Sequence, residues 1–423
     1  MPRQGPVTRS VAAGHSNAFG DRGRQADCYA EAAFPRGKQG LGAATGKRGS
    51  DGDPKVAEVG TGSKKNRFAF VDITNKGRAP QRQAGLKESG SRNEQNLIPA
   101  RHQNLQQDIQ ADLWSRQAQA ELNLSPDASS PASLQNAEPI WKDIDDPNCS
   151  NLMDCCDYVD SIMQTLFISE RQKRPSTAYM ETLQRDIQPN MRAILMDWVV
   201  EVAAEYKLVS DTLFLAASFV DRYLSCRAID RTQLQLVGVA ALFLAAKYEE
   251  IYPPQLNDFV FVAASTYTRE QILEMESSML DALGFQLTAP TPKLFFRRFL
   301  RAAAADLPRS QIAHLSALGS YFLELAMIEY ASLSFLPSQQ AAAAVLLALY
   351  TLQRQPWTPT LAHYTGYMPA DLKPCARLLH SLFLMAPMSH WPAVREKYAQ
   401  QSLLGVSTIP APHILPDTVF YCL

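Results

Sequence analysis

The chain has 423 residues and a formal net charge of −1, so it is long enough for two or three domains. Residues 1–140 carry 19 Lys/Arg and 14 Asp/Glu, whereas residues 141–423 carry 22 and 28, a net charge of −6. An acidic body argues against a nucleic-acid partner, because nucleic-acid binders concentrate basic side chains on a folded face. The longest apolar run, 236–246, is too short to span a bilayer, and no membrane partner is expected.

The seven cysteines stand at positions 28, 149, 155, 156, 226, 375 and 422. They form no CxxC pair and no Cys/His spacing typical of a zinc site. The pattern predicts reduced thiols in a cytosolic or nuclear compartment, with no metal and no other cofactor. The first ten residues, MPRQGPVTRS, lack the apolar core of a secretory signal.

Residues 1–148 are rich in Gly, Gln, Ser, Arg and Ala and show no sustained helical or strand period. Such a composition buries too little apolar surface to offset chain entropy, so this arm is predicted to be disordered. From about Asp154 apolar residues recur at helical spacing, and no alternating strand runs are evident. The body is therefore predicted to be all-α.

End signals place several helices of the body. Ser210 or Asp211 is predicted to cap one helix through its side-chain oxygen. Thr268 and Gln271 form a capping box at the start of another. Gly284 is predicted to end that second helix as a C′ glycine.

Two segments about a hundred residues apart are both rich in small apolar residues: LQLVGVAALFLAAKY (234–248) and SQQAAAAVLLALYTL (338–352). Each is too apolar to lie anywhere but the centre of a helical domain. The repetition predicts two helical domains of one design, over 149–288 and 289–405, followed by a tail over 406–423.

The stretch PNMRAILMDWVVEV (189–202) has an inverted pattern if it is a helix. Arg192 faces the same way as the core side chains, although a charge is expected to face water. The opposite, polar face carries Asp197, Glu201 and Glu205. Large apolar groups lie beside these acids instead of in the core, namely Ile194, Met191 and Trp198. The alternative interpretation is a long core helix with irregular edges.

Three further charges lie on apolar stripes of their helices: Asp221, Lys247 and Glu276. Buried charges must be paired. Two ion pairs would satisfy all four inward charges, Arg192 with Asp221 and Lys247 with Glu276. Helical spacing predicts burial, but it leaves open which cation meets which anion.

Four stretches together resemble the cyclin box: MRAILMDWVVEV, DRYLS, LQLVGVAALFLAAKYEEIYPP and TYTREQILEMESSMLDALGFQL. The sequence of these stretches is most similar to A-type (mitotic or S-phase) cyclins of plants and green algae. The resemblance covers about residues 150–400. The resemblance implies two tandem five-helix domains behind a short N-terminal helix, and the same two ion pairs. Cyclins are not enzymes but bind and activate a cyclin-dependent kinase, so no catalytic residue is expected.

By this resemblance, one surface would receive the kinase and favour the active placement of its αC helix. The helix near 154–168 would pack on the kinase through Tyr158 and Ile162. The remaining contact residues would be Leu244, Lys247, Tyr248, Glu249, Glu250, Glu276, Leu280, Phe285 and Leu287. Ordinary core is the alternative for Tyr248, Leu280 and Phe285. Many cyclins have phenylalanine at position 248, and a hydroxyl there is tolerable if it reaches water.

The resemblance also assigns a use to the apolar groups beside Glu201. In A-type cyclins the matching residues form a shallow groove for short Arg-x-Leu segments of substrates or inhibitors, and Glu201 would meet the arginine. The groove residues would be Met191, Ile194, Leu195, Trp198, Glu201, Leu234 and Gln235. Relatives often carry acids where this chain has Ala263-Ala264-Ser265, so the preference for arginine is expected to be weaker.

Within the arm, RFAFVDITN (67–75) resembles a destruction box, the degron read by the mitotic ubiquitin ligase. Arg67 and Asn75 occupy its first and ninth places, and Phe70 stands where leucine is usual. Basic pairs at 47–48 and 64–65 are candidates for nuclear import, so we expect the protein in the nucleus, with some in the cytoplasm.

Two other functions fit parts of the pattern. A B-type cyclin also has the cyclin box. Only the residues around IYPP and the segment DITN favour the A-type over the B-type interpretation. A transcription factor with two cyclin folds would need a basic face and a zinc ribbon, which the sequence does not provide. A kinase regulatory subunit that controls S, G2 and M progression is the function that the sequence favours.

Overall fold

The computed structural model describes residues 140–145 and 155–421. This part of the chain contains thirteen α-helices, short 3-10 turns and no strand, which confirms the predicted all-α class. The helices are, in chain order, α1 (Val159–Gln172), α2 (Tyr179–Thr182), α3 (Pro189–Glu205), α4 (Ser210–Cys226), α5 (Leu234–Glu249), α6 (Leu256–Val262), α7 (Arg269–Ala282), α8 (Pro292–Ala304), α9 (Arg309–Ile328), α10 (Pro337–Thr351), α11 (Pro359–Thr365), α12 (Pro369–Met385) and α13 (Ala393–Tyr398).

Helices α3–α7 form one five-helix domain, and α8–α12 form a second. The third helix of each is its centre: α5 is buried from Leu234 to Ala246, and α10 is buried from Gln340 to Leu349. Helix α5 packs against α4 and α7, and α10 packs against α8 and α12. The two central helices predicted from their apolar texture are therefore confirmed.

The end signals predicted for α7 are confirmed. The Thr268 nitrogen donates to Gln271 Oε1 at 2.9 Å, and the Gln271 nitrogen donates back to Thr268 Oγ1 at 3.3 Å. At the other end Gly284 has a φ of +57°, a left-handed conformation that suits glycine. The Phe285 nitrogen donates to the Leu280 carbonyl at 3.0 Å, which completes a Schellman motif.

The cap predicted for α4 is wrong. Ser210 and Asp211 lie inside the first turn, and neither caps it. The cap comes instead from Glu250, whose Oε1 accepts from the Val209 nitrogen at 2.8 Å and from Thr212 Oγ1 at 2.7 Å. A carboxylate is favoured at a helix N-terminus, but this one arrives from the end of another helix and leaves no local signal.

Helix α1 is attached to the second domain. The rings of Phe167 and Phe295 lie 5.2 Å apart. Glu170, only 2% exposed, accepts hydrogen bonds from Ser338 at the start of α10, at 2.9 Å from its nitrogen and 2.7 Å from its hydroxyl. Burial raises the pKa of the Glu170 carboxyl despite these bonds. The short N-terminal helix is thus anchored to the second domain.

Residues 140–145 were predicted to belong to the disordered arm, and for these six residues the prediction is wrong. The rings of Trp141 and His363 stack with centroids 3.8 Å apart, and Asp145 forms an ion pair with Arg298. These contacts with α8 and α11 supply the order that the local composition does not show. The rest of the arm lies outside the described residues.

The segment predicted to be a tail packs onto the second domain. Its apolar side chains are buried at Val406, Leu415, Val419 and Phe420. Asp417 holds the segment to α12 through ion pairs with Lys373 at 3.0 Å and Arg377 at 2.5 Å. The C-terminal segment therefore completes the core of this domain.

Asp197 was predicted to lie on the polar face of its helix, and this is wrong. The residue is 9% exposed, and its Oδ1 accepts from the Ala393 nitrogen at the start of α13 at 3.0 Å. Burial raises the pKa of Asp197 to about 7, against the effect of that hydrogen bond, and the nearby carboxylates of Glu201 and Glu396 raise it further.

This carboxyl is expected to make folding depend on pH. The folded chain keeps the proton to about pH 7, whereas the unfolded chain releases it near pH 4, so the free energy of unfolding falls as the pH rises between these values. A neutral amide would still accept from Ala393, so Asp197→Asn should remove this fall and be more stable than the parent at pH 8. Urea unfolding at pH 5 and pH 8 measures the difference. Equal pH dependence in both proteins would contradict the assignment.

Candidate functional site

The first predicted ion pair forms in the interior. Arg192 Nε and Nη2 each lie 2.7 Å from a carboxylate oxygen of Asp221, with side chains 1% and 4% exposed. The Tyr179 hydroxyl donates to the same carboxylate at 3.0 Å. Arg192 Nη1 donates to the carbonyls of Met327 and Ile328, both at 3.0 Å. The pair thus also connects the first domain to the last turn of α9 in the second.

The second ion pair lies at the surface. Lys247 Nζ is 2.5 Å from Glu276 Oε1, and it lies 4.3 Å from the centre of the Phe243 ring. The Glu276 side chain is 8% exposed, but that of Lys247 is 42% exposed. The prediction that all four charges face inward is therefore wrong for Lys247. Its helix ends two residues later, so its last turn reaches the surface.

Apolar side chains are exposed around this pair. Tyr248 is 46% exposed and Phe285 is 67% exposed, so the interpretation of these two residues as ordinary core is excluded. The Tyr248 hydroxyl lies at the surface, where it bonds Thr288 Oγ1 at 2.5 Å. Among the other predicted contact residues, Tyr158 and Ile162 on the N-terminal side are exposed, Leu280 and Leu287 are partly buried, and Leu244 is buried.

Leu244 and Glu250 of the predicted contact set also have roles within the fold, and their contact with a partner stays a prediction. Leu244 is 5% exposed because it belongs to the central helix α5, and it supports the surface from below. Glu250 is committed to the cap of α4. Glu249 is exposed, and the pKa of its carboxyl is raised by partial burial and by the neighbouring Asp211, against the effect of Arg297.

The residues of the predicted shallow groove differ in their exposure. Met191, Ile194 and Glu201 are partly exposed, but four of the set are buried: Leu195, Trp198, Leu234 and Gln235. Gly238 lets α5 approach α3 closely, since a Cβ there would lie 2.6 Å from Leu195 Cδ1. Helix α13 packs on another side of α3. The four buried residues therefore support the partly exposed ones from below, and the groove as a docking site stays a prediction.

Two family models match the chain, "Cyclin, N-terminal domain" over residues 161–288 and "Cyclin, C-terminal domain" over 290–412. The chain is 45% identical over 296 residues to Cyclin-A1-1 of Oryza sativa subsp. japonica, which covers 70% of this chain and 57% of that protein. It is 44% identical over 268 residues to Cyclin-A1-4 of the same plant, with 63% of this chain and 75% of that protein covered. This chain belongs to the cyclin family as an A-type cyclin.

Among solved structures, a viral cyclin from herpesvirus saimiri aligns with this cyclin at a TM-score of 0.48 and 20% identity. The alignment covers 52% of this chain and 96% of the viral chain. The matched part of this cyclin spans 57–59% of the length of the rice relatives Cyclin-A1-1, Cyclin-A1-2 and Cyclin-A1-3.

Two exposed residues of this cyclin were missed from the sequence. Ile251 and Tyr252 are each 82% exposed and lie just beyond the end of α5, after Glu250. The signal was present, because two apolar residues precede Pro253-Pro254, and a proline pair ends a helix in an exposed turn.

The other predicted sites of this cyclin lie elsewhere. The destruction-box residues Arg67, Phe70 and Asn75 fall outside the described residues. Within 140–145 and 155–421 no three His, Cys, Asp or Glu side chains are grouped as metal ligands would be. In the same residues no helix is long and apolar enough to cross a membrane.

Proposed function

We propose that this cyclin is the non-catalytic regulatory subunit of a cyclin-dependent serine/threonine kinase, which it binds, activates and directs during S, G2 and M phases. One observation carries the proposal. A half-exposed lysine holds a buried glutamate at the surface, next to the exposed rings of Tyr248 and Phe285. In the cyclin family the residues that match Lys247 and Glu276 also bond main-chain groups of the kinase.

The physical properties of the surface suit this role. Aromatic side chains surrounded by polar groups are typical of protein interfaces. The surface stands on the end of α5, whose body is buried on all sides, so it resists deformation. A rigid surface that fits only the active placement of the kinase αC helix shifts the kinase population toward that placement.

A pull-down of the full-length protein from dividing cells tests the proposal. The expected result is a co-purified kinase that phosphorylates histone, with little activity from an equal amount of kinase lacking the cyclin. Capture of promoter DNA without kinase activity would overturn the proposal in favour of a transcription factor.

The groove on α3 would bind Arg-x-Leu segments of substrates and inhibitors. Because Trp198 is 5% exposed, Trp198→Ala is expected to damage the fold and is a poor test. Met191→Ala combined with Ile194→Ala changes only partly exposed side chains. The double variant should lower the rate of phosphorylation of Arg-x-Leu substrates about tenfold and leave short peptides without the motif unaffected.

The control for the groove is Ile414→Ala, which removes a 72% exposed side chain of the second domain. It should leave both substrate types unchanged. An equal loss on both types in the double variant would show that the change acts on the kinase and not on substrate docking.

The segment 67–75 would deliver the cyclin to the mitotic ubiquitin ligase, and nuclear localisation would place it near chromatin-bound substrates. Arg67→Ala with Asn75→Ala should lengthen the half-life of the protein at mitotic exit severalfold, because the ligase would lose the charged and polar ends of its degron. A cycloheximide chase measures this half-life. Unchanged decay, with Arg82→Ala as a control in the same arm, would rule out the degron.

A further inference from the structure

The loop between α7 and α8 carries two of the proposed contact residues, Phe285 and Leu287, and its backbone is strained. Gly284 and Phe285 are both left-handed, with φ of +57° and +58°. Glycine adopts this conformation freely, but for phenylalanine it is unfavourable and persists only where the surroundings hold it. Something outside the loop must therefore fix Phe285.

Three side chains from three different parts of the chain bind this loop. Arg222 of α4 donates from Nη2 to the Gln286 carbonyl at 2.8 Å. Lys173, which directly follows α1, donates to the Thr288 carbonyl at 2.6 Å. The hydroxyl of Tyr248 bonds Thr288 Oγ1 at 2.5 Å.

Arg222 is the most unusual of the three. The residue is 7% exposed, and its Nη1 has no hydrogen-bond partner among the described residues. Burial lowers the pKa of its guanidinium. Burial of a cation without full compensation is unfavourable, so Arg222 is poorly explained by its contribution to the core. Its bond to the loop offers a role that an apolar core side chain could not perform.

We propose that Arg222, Lys173 and the Tyr248 hydroxyl are positioning residues that hold the strained Phe285 loop in the shape that the kinase receives. This inference rests on the proposed function. Because Lys173 ends α1, the same bonds couple the loop to the helix that carries Tyr158 and Ile162. The kinase then meets two preformed parts of one surface. Binding therefore does not lose the conformational entropy that ordering a flexible loop would cost.

Hydrogen exchange on the free full-length protein tests the fixation without any kinase. The reporters are the amides of Phe285 and Gln286, which donate to Leu280 and Leu283 at 3.0 and 3.1 Å. Tyr248→Phe and Arg222→Met should each speed their exchange about tenfold, while the amides in the middle of α7 stay unchanged. Tyr421→Phe, which removes a hydroxyl from a 73% exposed ring of the second domain, is the matched control.

The consequence for binding is tested with the kinase captured in the pull-down. A less populated competent loop should slow association about threefold to tenfold in Tyr248→Phe and Lys173→Met, with a smaller change in dissociation. Unchanged exchange in Tyr248→Phe and in folded Arg222→Met would overturn the fixation. Faster exchange with an unchanged association rate would overturn the role in binding. Absence of kinase binding by the parent protein would instead refute the proposed function and leave the exchange result to decide the fixation.

Discussion

Replacing Arg192 with alanine is expected to lower the free energy of unfolding by on the order of 3–5 kcal/mol. Among the residues that the structure describes, the change leaves the buried Asp221 carboxylate with only the Tyr179 hydroxyl as a donor. It also removes the donor shared by two carbonyls at the end of α9. Since this guanidinium joins the two domains, their unfolding should also separate into less cooperative steps. Urea unfolding followed by circular dichroism and tryptophan fluorescence measures both effects.

An exposed ion pair provides the control. Arg231 and Asp186 lie 3.6 Å apart with side chains 47% and 53% exposed. Arg231→Ala should therefore change the free energy of unfolding by no more than about 1 kcal/mol. Replacing both buried partners, Arg192→Met with Asp221→Leu, should cost less than Arg192→Ala, because no charge is left unpaired. A loss in Arg192→Ala no larger than that in Arg231→Ala would contradict the role assigned to the buried pair.

Replacing Lys247 with alanine is expected to weaken the cyclin–kinase complex by about 2 kcal/mol or more, roughly a thirtyfold rise in Kd. The change removes the surface cation and frees the buried Glu276 from the position in which it would meet the kinase main chain. The cost to folding should be smaller than for Arg192→Ala, because half-exposed Lys247 is partly solvated and contributes less to the interior. Titration calorimetry or surface binding with the purified kinase measures Kd.

The control for Lys247 is a lysine of similar type on the second domain. Lys373 pairs with the half-exposed Asp417 at 3.0 Å, far along the chain from the proposed surface. Lys373→Ala should leave kinase affinity unchanged. Glu276→Gln should resemble Lys247→Ala in affinity, since both abolish the charged pair. A folded Lys247→Ala protein with the parent's Kd would refute the proposed surface.

The sequence by itself determined the features that depend on one helix at a time. Their content of small apolar residues identified α5 and α10 as central helices, and their burial confirms this prediction. Helical spacing placed Arg192, Asp221 and Glu276 toward the interior, where all three are buried. The pairing Arg192–Asp221 and Lys247–Glu276 was one of two possibilities until the resemblance favoured it. Periodicity succeeds in such cases because a helix turns its residues through fixed angles.

The contacts between segments that are distant in the sequence were decided only by the tertiary structure. Asp197 is buried by a residue 196 positions away in the sequence, so its own helix predicted a polar face. Trp141 stacks on His363 of α11, and Glu250 at the end of α5 caps α4. The accessible part of the groove was likewise reduced by the packing of α5 and α13 on α3. A helical wheel records angles about one axis, and it carries no information about which distant segment arrives at each face.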